Sequence, residues 1–352
     1  MAEFITRDID LLISKEPESG YNTNYVDAAD FQRMLTTGSP LSLPTLEKLD
    51  DADRIGQGDE FPRQARGNYW SQPKWQISDV LNTGLAALFF ARALGGTVTD
   101  TLVATGVYDH TFSHQEDGAG RQLPSSSVVQ SVGGQDWLFP GVVVGAFGVS
   151  QEGANPPQFT ADLVGSGKHV EISAIDPAFG DFPDPITQNF MHGASTVLSY
   201  NDGSLLDFSA AGRCRNVSFQ WANNLRENDR RPGDPILVNN QPFKGAFVNR
   251  CLRGRRQLQI SLSVTLDENQ REYLKNRDTT AITSLKMLCK GALIDSSRFH
   301  EFELNVPKCY IASIEGGTVD EDLVQNITLV ALADSSGQIL TGRVRNASAT
   351  LL

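Results

Sequence analysis

Gln257-Leu258-Gln259-Ile260-Ser261-Leu262-Ser263-Val264 decides the fold class of this chain. Leu258, Ile260, Leu262 and Val264 fall on one face, with Gln and Ser on the other. Successive side chains of a strand point to opposite sides of the pleat, so this alternation marks a strand with one buried and one wetted face. Trp75-Gln76-Ile77-Ser78 and Val217-Ser218-Phe219-Gln220-Trp221 alternate in the same way, and Gly, Pro, Asn and Asp interrupt such runs at short intervals. Short alternating strands between turn residues predict a mainly β, antiparallel sandwich or barrel.

Two stretches break the alternation. Residues 84–94 (GLAALFFARAL) run into Gly95-Gly96, a helix stop, and residues 267–277 (DENQREYLKNR) open on an Asp suited to capping. Each follows an alternating strand, which predicts one short helix per half.

The halves read as copies. Asp53-Arg54 and Gly58-Asp59 find counterparts in Asp229-Arg230 and Gly233-Asp234. Gln76-Ile77-Ser78 matches Gln259-Ile260-Ser261, and the Pro-led run Pro140-Gly141-Val142-Val143-Val144 matches Pro307-Lys308-Cys309-Tyr310-Ile311. Phe159 to Val164 matches Ile327 to Leu332, each ending in a Ser/Gly turn. The order never breaks, which predicts a tandem duplication. The expected partition is an N-terminal arm over 1–40, one domain over 41–168, a linker over 169–192 rich in Pro, Asp and Phe, and a second domain over 193–352.

Composition excludes more than it selects. The 352 residues carry a net charge of −12, which argues against a duplex-DNA binder, since such a protein needs a basic surface to displace counterions. An acidic surface suits a conduit through which DNA slides. Cys214, Cys251, Cys289 and Cys309 form no C-x-x-C pair, so buried free thiols in a reduced compartment are expected. The opening Met1-Ala2-Glu3-Phe4 lacks the apolar core of a secretion signal. The longest apolar run, 84–94, is too short for the ~20 residues that cross a bilayer.

The chemistry searched for is weak. His110 and His114 stand four apart, but Tyr108, Thr111 and Phe112 favour a strand, where that spacing separates them; structural histidines are the plainer reading. Gly165-Ser166-Gly167-Lys168 suggests a phosphate loop, yet Asp162 stands where the first glycine belongs and His169 replaces the Ser/Thr, so it reads as a turn after a strand. No G-x-S-x-G elbow and no distinctive carboxylate pair is present, and no catalytic, cofactor or metal residue is assigned. The triplets at Asn216, Asn326 and Asn346 carry no weight without a secretion signal. Arg213, Arg215, Arg226, Arg230, Arg231, Arg250, Arg253, Arg255 and Arg256 are a notable basic group in so acidic a chain. Pairing with acids of a neighbouring copy, a nucleic-acid patch and a plain solvated surface all fit it.

Residues 75–96 (WQISDVLNTGLAALFFARALGG), 139–153 (FPGVVVGAFGVSQEG), 158–168 (QFTADLVGSGK) and 217–225 (VSFQWANNL) make a recognisable set with 254–274 (GRRQLQISLSVTLDENQREYL) and the closing ITLVALADSSGQILTGRV from Ile327. With the duplication, the chain resembles the tail tube proteins of long-tailed bacteriophages, in the group with two tube-type domains per chain. The resemblance covers about residues 41–352; the arm and the linker depart from it. It implies two tandem β-sandwich domains, each with a short flanking helix, and a structural virion protein without enzymatic activity. It implies self-assembly into rings, three chains giving six near-equivalent positions and six chains being possible, stacked into the tube of the virion tail after synthesis in the host cytoplasm. Implied partners are a tape measure protein in the lumen, terminator and distal tail proteins at the ends, and genomic DNA passing without specific binding; no membrane and no cofactor is implied. The polar stretches 50–68 and 226–249 are the expected stacking loops. Two other readings compete. One is another ring-forming tail component, a terminator or distal tail protein. The other is a carbohydrate-binding β-sandwich using Trp70, Trp75, Trp137 and Trp221.

Overall fold

A computed structural model describes residues 9–23, 28–35, 42–50, 65–115, 120–132, 135–171, 185–200, 204–207, 214–232, 236–238, 241–243, 246–265, 283–319 and 322–351. The first half runs β1 (Ile9–Ser14), β2 (Phe31–Met34), β3 (Leu46–Asp50), β4 (Ala65–Trp70), β5 (Lys74–Val80), α1 (Leu85–Leu94), β6 (Gly95–Ala104), β7 (Val107–His114), β8 (Ser126–Val132), β9 (Gln135–Glu152), β10 (Gln158–Val164) and β11 (Val170–Glu171). The second runs β12 (Met191–Tyr200), β13 (Ser204–Asp207), β14 (Cys214–Ala222), β15 (Arg226–Pro232), β16 (Ile236–Val238), β17 (Gln241–Phe243), β18 (Ala246–Leu252), β19 (Gln257–Thr265), β20 (Thr283–Leu293), β21 (Phe299–Val319), β22 (Asp322–Ala331) and β23 (Thr341–Asn346). The protein is mainly β, as the alternation predicted, and the three quoted runs lie in β5, β14 and β19. Their apolar faces are buried: Trp75 and Ile77, Val217, Phe219 and Trp221, and Leu258, Ile260, Leu262 and Val264.

Seven strands form one long antiparallel sheet in the order β5, β10, β9, β14, β19, β22, β21. Two strands outgrow it. β9 pairs with β8 up to Val142 and with β11 at Trp137 and Leu138, and from Val143 onward with β10 and then β14. β21 pairs with β20 up to Cys309 and with β23 up to Asn305, and from Cys309 with β22. Both change sheets just past a proline, Pro140 and Pro307, whose missing N–H coincides with a register shift in the outer ladder.

The N-terminal parts of β9 and β21 lie in two outer sheets of matching order. One runs β2, β1, β8, β9, β11; the other runs β13, β12, β20, β21, β23. The sequence counterparts therefore occupy equivalent places: β5 with β19, β10 with β22, and the two bends with each other. The hairpin β6–β7 has no described counterpart. It extends the second outer sheet, β7 pairing with β23 from the far end of the chain. The lead-in expected up to residue 40 differs from a loose arm over 9–14 and 31–34. These residues are β1 and β2, with Leu11, Ile13, Phe31 and Met34 buried.

Helix α1 sits where the first helix was expected. Asn82 Oδ1 accepts the N–H groups of Gly84 and Ala86, satisfying donors that the first turn leaves open, and Gly95 ends the helix in the left-handed region at φ 68°. The helix is buried almost all round; Phe90 packs against Phe112, Phe147 and Phe302, joining β7, β9 and β21. The buried Arg92 guanidinium is held by the carbonyls of Ser14 and Lys15 and by Ser126 Oγ. One hydrophobic cluster reaches from Leu11 to Val344 through both halves. The second expected helix, 267–277, and the Asp53–Asp59 counterpart lie outside the described residues.

Candidate assembly surface

The long sheet has one face on the core and one open face. Strand register lines up the open-face residues in rows across the sheet. One row is Ser150, Ser218, Ser261, Thr328 and Ser313, with Gln158 beside Ser150. The next holds Ser78, Thr160, Gly148, Gln220 and Gln259. Two further rows run Gln76, Asp162, Ala146, Ala222, Gln257 and Glu152, Asn216, Ser263, Asn326, Glu315. Hydroxyls, amides and three carboxylates predominate in these rows, the second of which continues to Val330 and Tyr310; no Lys or Arg stands in the four rows, and Lys74 is exposed on the same face of β5 as Gln76.

Among the described residues, no strand pairs with the outer side of β5 or of β21 beyond Cys309. An unpaired edge is a template for another strand. Strand direction alternates across the seven, so these two edges run the same way. Residues 42–45 meet the start of β5 in antiparallel sense: Ser71 N–H donates to Thr45 O at 2.8 Å, and Lys74 N–H to Ser42 Oγ at 2.9 Å.

The expected stacking loops are extended hairpins over their described residues. β15 pairs with β18, β3 with β4, and β18 meets β4 through Ala246 and Tyr69, so the hairpins of the two halves share one small sheet.

The basic group splits between the ends of the long sheet. Arg226, Arg253, Arg255 and Arg256 gather at the end where β19 begins, joined by Arg121, which the sequence reading missed because it lies far away in the chain. Arg253 and Arg256 are almost fully buried. Arg253 Nε donates to Gln115 Oε1 and its Nη2 to Gly120 O, and Arg256 Nη1 donates to Gln115 O while its guanidinium lies 5.9 Å from the Trp221 ring centre. Arg215 stands at the other end, donating to Thr265 Oγ1, and Arg250 is exposed on β18. The side chains of Arg230 and Arg231, and all of Arg213, lie outside the described set.

His110 and His114 lie on β7, the strand expected there. His110 Nδ1 is 2.6 Å from Asp100 Oδ1 and its Nε2 is 2.9 Å from Asn346 Oδ1, a bridge across β6, β7 and β23. His114 Nε2 accepts the N–H of Ile339. Among the described residues, no group of three or more His, Cys, Asp or Glu is placed to hold a metal. Residues 165–168 are the turn after β10. Trp70, Trp75 and Trp221 are buried and Trp137 is half-buried. All four cysteines are buried and none forms a disulfide; burial pushes the thiols of Cys214, Cys289 and Cys309 up to about 12. No helix of the described residues is long and apolar enough to cross a membrane.

Two polar clusters escaped the sequence reading. Glu18 is nearly buried, accepting from Ser125 Oγ and Ser127 Oγ at 2.7 Å each and from the N–H of Gly141 at 3.0 Å. Burial raises its carboxyl above the usual range, and these bonds offset part of that rise. Across the β7–β23–β21 ladder, Asp109 accepts from Arg345 at 2.7 and 2.9 Å, and Arg343 bridges Glu301 and Glu303 at 2.7 and 2.8 Å. Burial pushes Asp109 up, but Arg345 and Arg343 together hold it below the usual carboxylate range. Nothing in local sequence pairs residue 109 with residue 345.

Comparison with known proteins found no family model and no curated protein that matches the chain.

Proposed function

We propose that this chain is the tail tube subunit of a long-tailed bacteriophage, built from two tube-type β-sandwich domains over 41–168 and 193–352. The observation that supports the reading best is the long sheet: an apolar face on the core, a hydroxyl- and amide-rich open face, and, among the described residues, an edge at each side with no strand paired to it. In this reading the sheets of neighbouring copies join edge to edge into a closed channel, which removes the exposed edges. The open face becomes the lumen. Carboxylates without cations in its rows let phosphates pass without being held, and the hydroxyl rows give a tape measure protein a wet, weakly binding wall.

Strand direction sets a condition on closure. Both edges run the same way, so an antiparallel ring takes one more strand per copy. Residues 42–45, already antiparallel to the approach to β5, stand where the pairing order puts the first-half counterpart of β14. The repeated order gives each chain two near-equivalent positions, so three chains make a ring of six. Terminator and distal tail proteins would meet the two ends of the stack.

The test is negative-stain electron microscopy of the purified chain after concentration. Hollow filaments with a regular axial repeat are the expected result. Discrete single rings would instead favour a terminator or distal tail protein. A persistent monomer with affinity for sugars would favour the carbohydrate-binding reading, which the burial of three of the four tryptophans already disfavours.

A further inference from the structure

The lysine of the turn Gly165-Ser166-Gly167-Lys168 reaches the N-terminal lead-in between β1 and β2. Lys168 Nζ lies 3.4 Å from the carbonyl oxygen of Asn22. The turn that carries it is fixed. Ser166 Oγ donates to Pro140 O at 3.0 Å and accepts the N–H of Lys168 at 3.2 Å, and Ser166 O accepts the N–H of Val248 at 2.8 Å. Lys168 itself is half-buried.

Asn22 is fixed from the other side. Thr23 N–H donates to Gly20 O at 2.9 Å, closing a turn in which Asn22 takes φ 65°. A non-glycine residue adopts that left-handed conformation at a cost, and asparagine tolerates it better than most. Its Nδ2 donates to Val248 O at 3.1 Å, so the remaining carboxamide atom is the oxygen. That oxygen is buried and meets no donor, which is uncommon for a buried polar atom. It lies over Gly141, where a Cβ would strike it. Tyr21, next in sequence, packs against the cluster of Leu123, Val143, Val164 and Cys251 and holds the turn down.

The third group is Glu18. Its carboxylate accepts the N–H of the same Gly141 at 3.0 Å and the N–H of Asn22 itself. Burial raises it above the usual range, which makes it a better proton acceptor than a solvated carboxylate. An amine, a carboxamide and a buried proton carrier therefore meet around Asn22.

We propose that Lys168 and Asn22 form an intramolecular isopeptide bond, with Glu18 carrying the proton. Glu18 takes a proton from the Lys168 ammonium. The free amine, on its flexible stem, swings from the Asn22 carbonyl oxygen to Cγ and attacks it, forming the Cγ–Nζ bond. Glu18 gives its proton to Nδ2 and takes the second one from Nζ; the Cγ–Nδ2 bond breaks and ammonia leaves. No electrons are exchanged, so no oxidant or reductant is needed, and the protein loses one positive charge. Folding supplies the proximity that makes the attack unimolecular. The bond closes a covalent loop around the first half, tying the lead-in ahead of β2 to the turn after β10. It is independent of the tube reading.

The test is the intact mass of the purified, folded full chain. The mass should fall short of that of its sequence by one ammonia, and a proteolytic digest should contain one branched peptide joining residues 22 and 168. Lys168→Arg, which keeps the cation and removes the nucleophile, should restore the full mass. Glu18→Gln, followed after cell-free synthesis, should form the bond on the order of a hundredfold more slowly, while its side-chain oxygen still accepts from Gly141. Circular dichroism confirms that each variant folds. A folded, unaltered chain at full mass would overturn the proposal. So would an ammonia loss that survives Lys168→Arg, which would assign it to cyclisation at an asparagine. A branched peptide formed equally fast in Glu18→Gln would overturn the part given to Glu18.

Discussion

β9 and β21 make the same crossing from an outer sheet into the long sheet, yet they are held there by different means. In β9 the residue after the proline is Gly141, at φ 71°, and its N–H donates to the Glu18 carboxylate, which also accepts from the hydroxyls of Ser125 and Ser127. A Cβ at Gly141 would meet Asn22 Oδ1. In β21 the residue after the proline is Lys308, with no left-handed backbone, and its carbonyl accepts the N–H of Leu332 at 2.8 Å. The shared path of the two strands follows from pattern: a proline between two alternating runs. The anchoring follows from neighbours, a buried carboxylate in one half and a strand-end hydrogen bond in the other. The first bend is therefore the fragile and titratable one.

Substitution at the two bends should show this most strongly. Glu18→Ala leaves two hydroxyls and an N–H buried without their acceptor, at about 1–3 kcal/mol each. We expect a loss of about 3 kcal/mol or more in urea unfolding at neutral pH, whereas Lys308→Ala, which leaves the carbonyl that accepts from Leu332 in place, should stay within about 0.5 kcal/mol. An equal loss at Lys308 would mean that a side chain anchors the second bend as well.

Acid titration sharpens the contrast. Glu18 has a folded pKa raised above its reference of 4.5, so the folded state binds this proton more tightly than the unfolded chain does. Its contribution is present below 4.5 and is lost as pH rises through the folded value. Asp109 has a folded pKa lowered below 3.8, so its contribution is present above 3.8 and is lost as pH falls through the folded value. The urea midpoint of the unaltered protein should fall relative to Glu18→Gln as pH rises from 4.5. On the acid side it should fall relative to Asp109→Asn as pH drops below 3.8. Parallel curves would deny either group a role in linkage.

The smallest effect concerns the thiols, all four of which lie in the second half. Buried, with three of them pushed up to about 12, they should react slowly with a disulfide reagent in the native protein and fully in urea. Prompt reaction of one thiol in the native state would identify a second-half strand that opens.

The sequence was legible where one face of an element is buried and the other is not. β5, β14 and β19 alternate because each has a core side and an open side, and α1 announced itself through Gly95 and an unbroken apolar run. β1 was hidden because Asp10-Leu11-Leu12-Ile13 lacks alternation, its three apolar residues being buried on both faces. β6 was hidden for the opposite reason: most of its residues are exposed on both faces, so no period is imposed. The arginine group was visible as composition, but its division between two ends, and the recruitment of Arg121, depend on register between distant strands. The clusters around Glu18 and Asp109 rest on pairings more than a hundred residues apart, which no local pattern encodes.

The reach of the β6–β7 hairpin across the chain sets a clock on biosynthesis. Asp109 finds Arg345 only after another 236 residues have been made. At about 5–20 residues per second, β7 waits roughly 10–50 s with its edge bare. During that interval the nascent first half presents a strand that any earlier copy could pair with, and the arrival of β23 ends the exposure. Products truncated before β23 keep that edge open, so they should pair with one another more readily than the chain that carries β23.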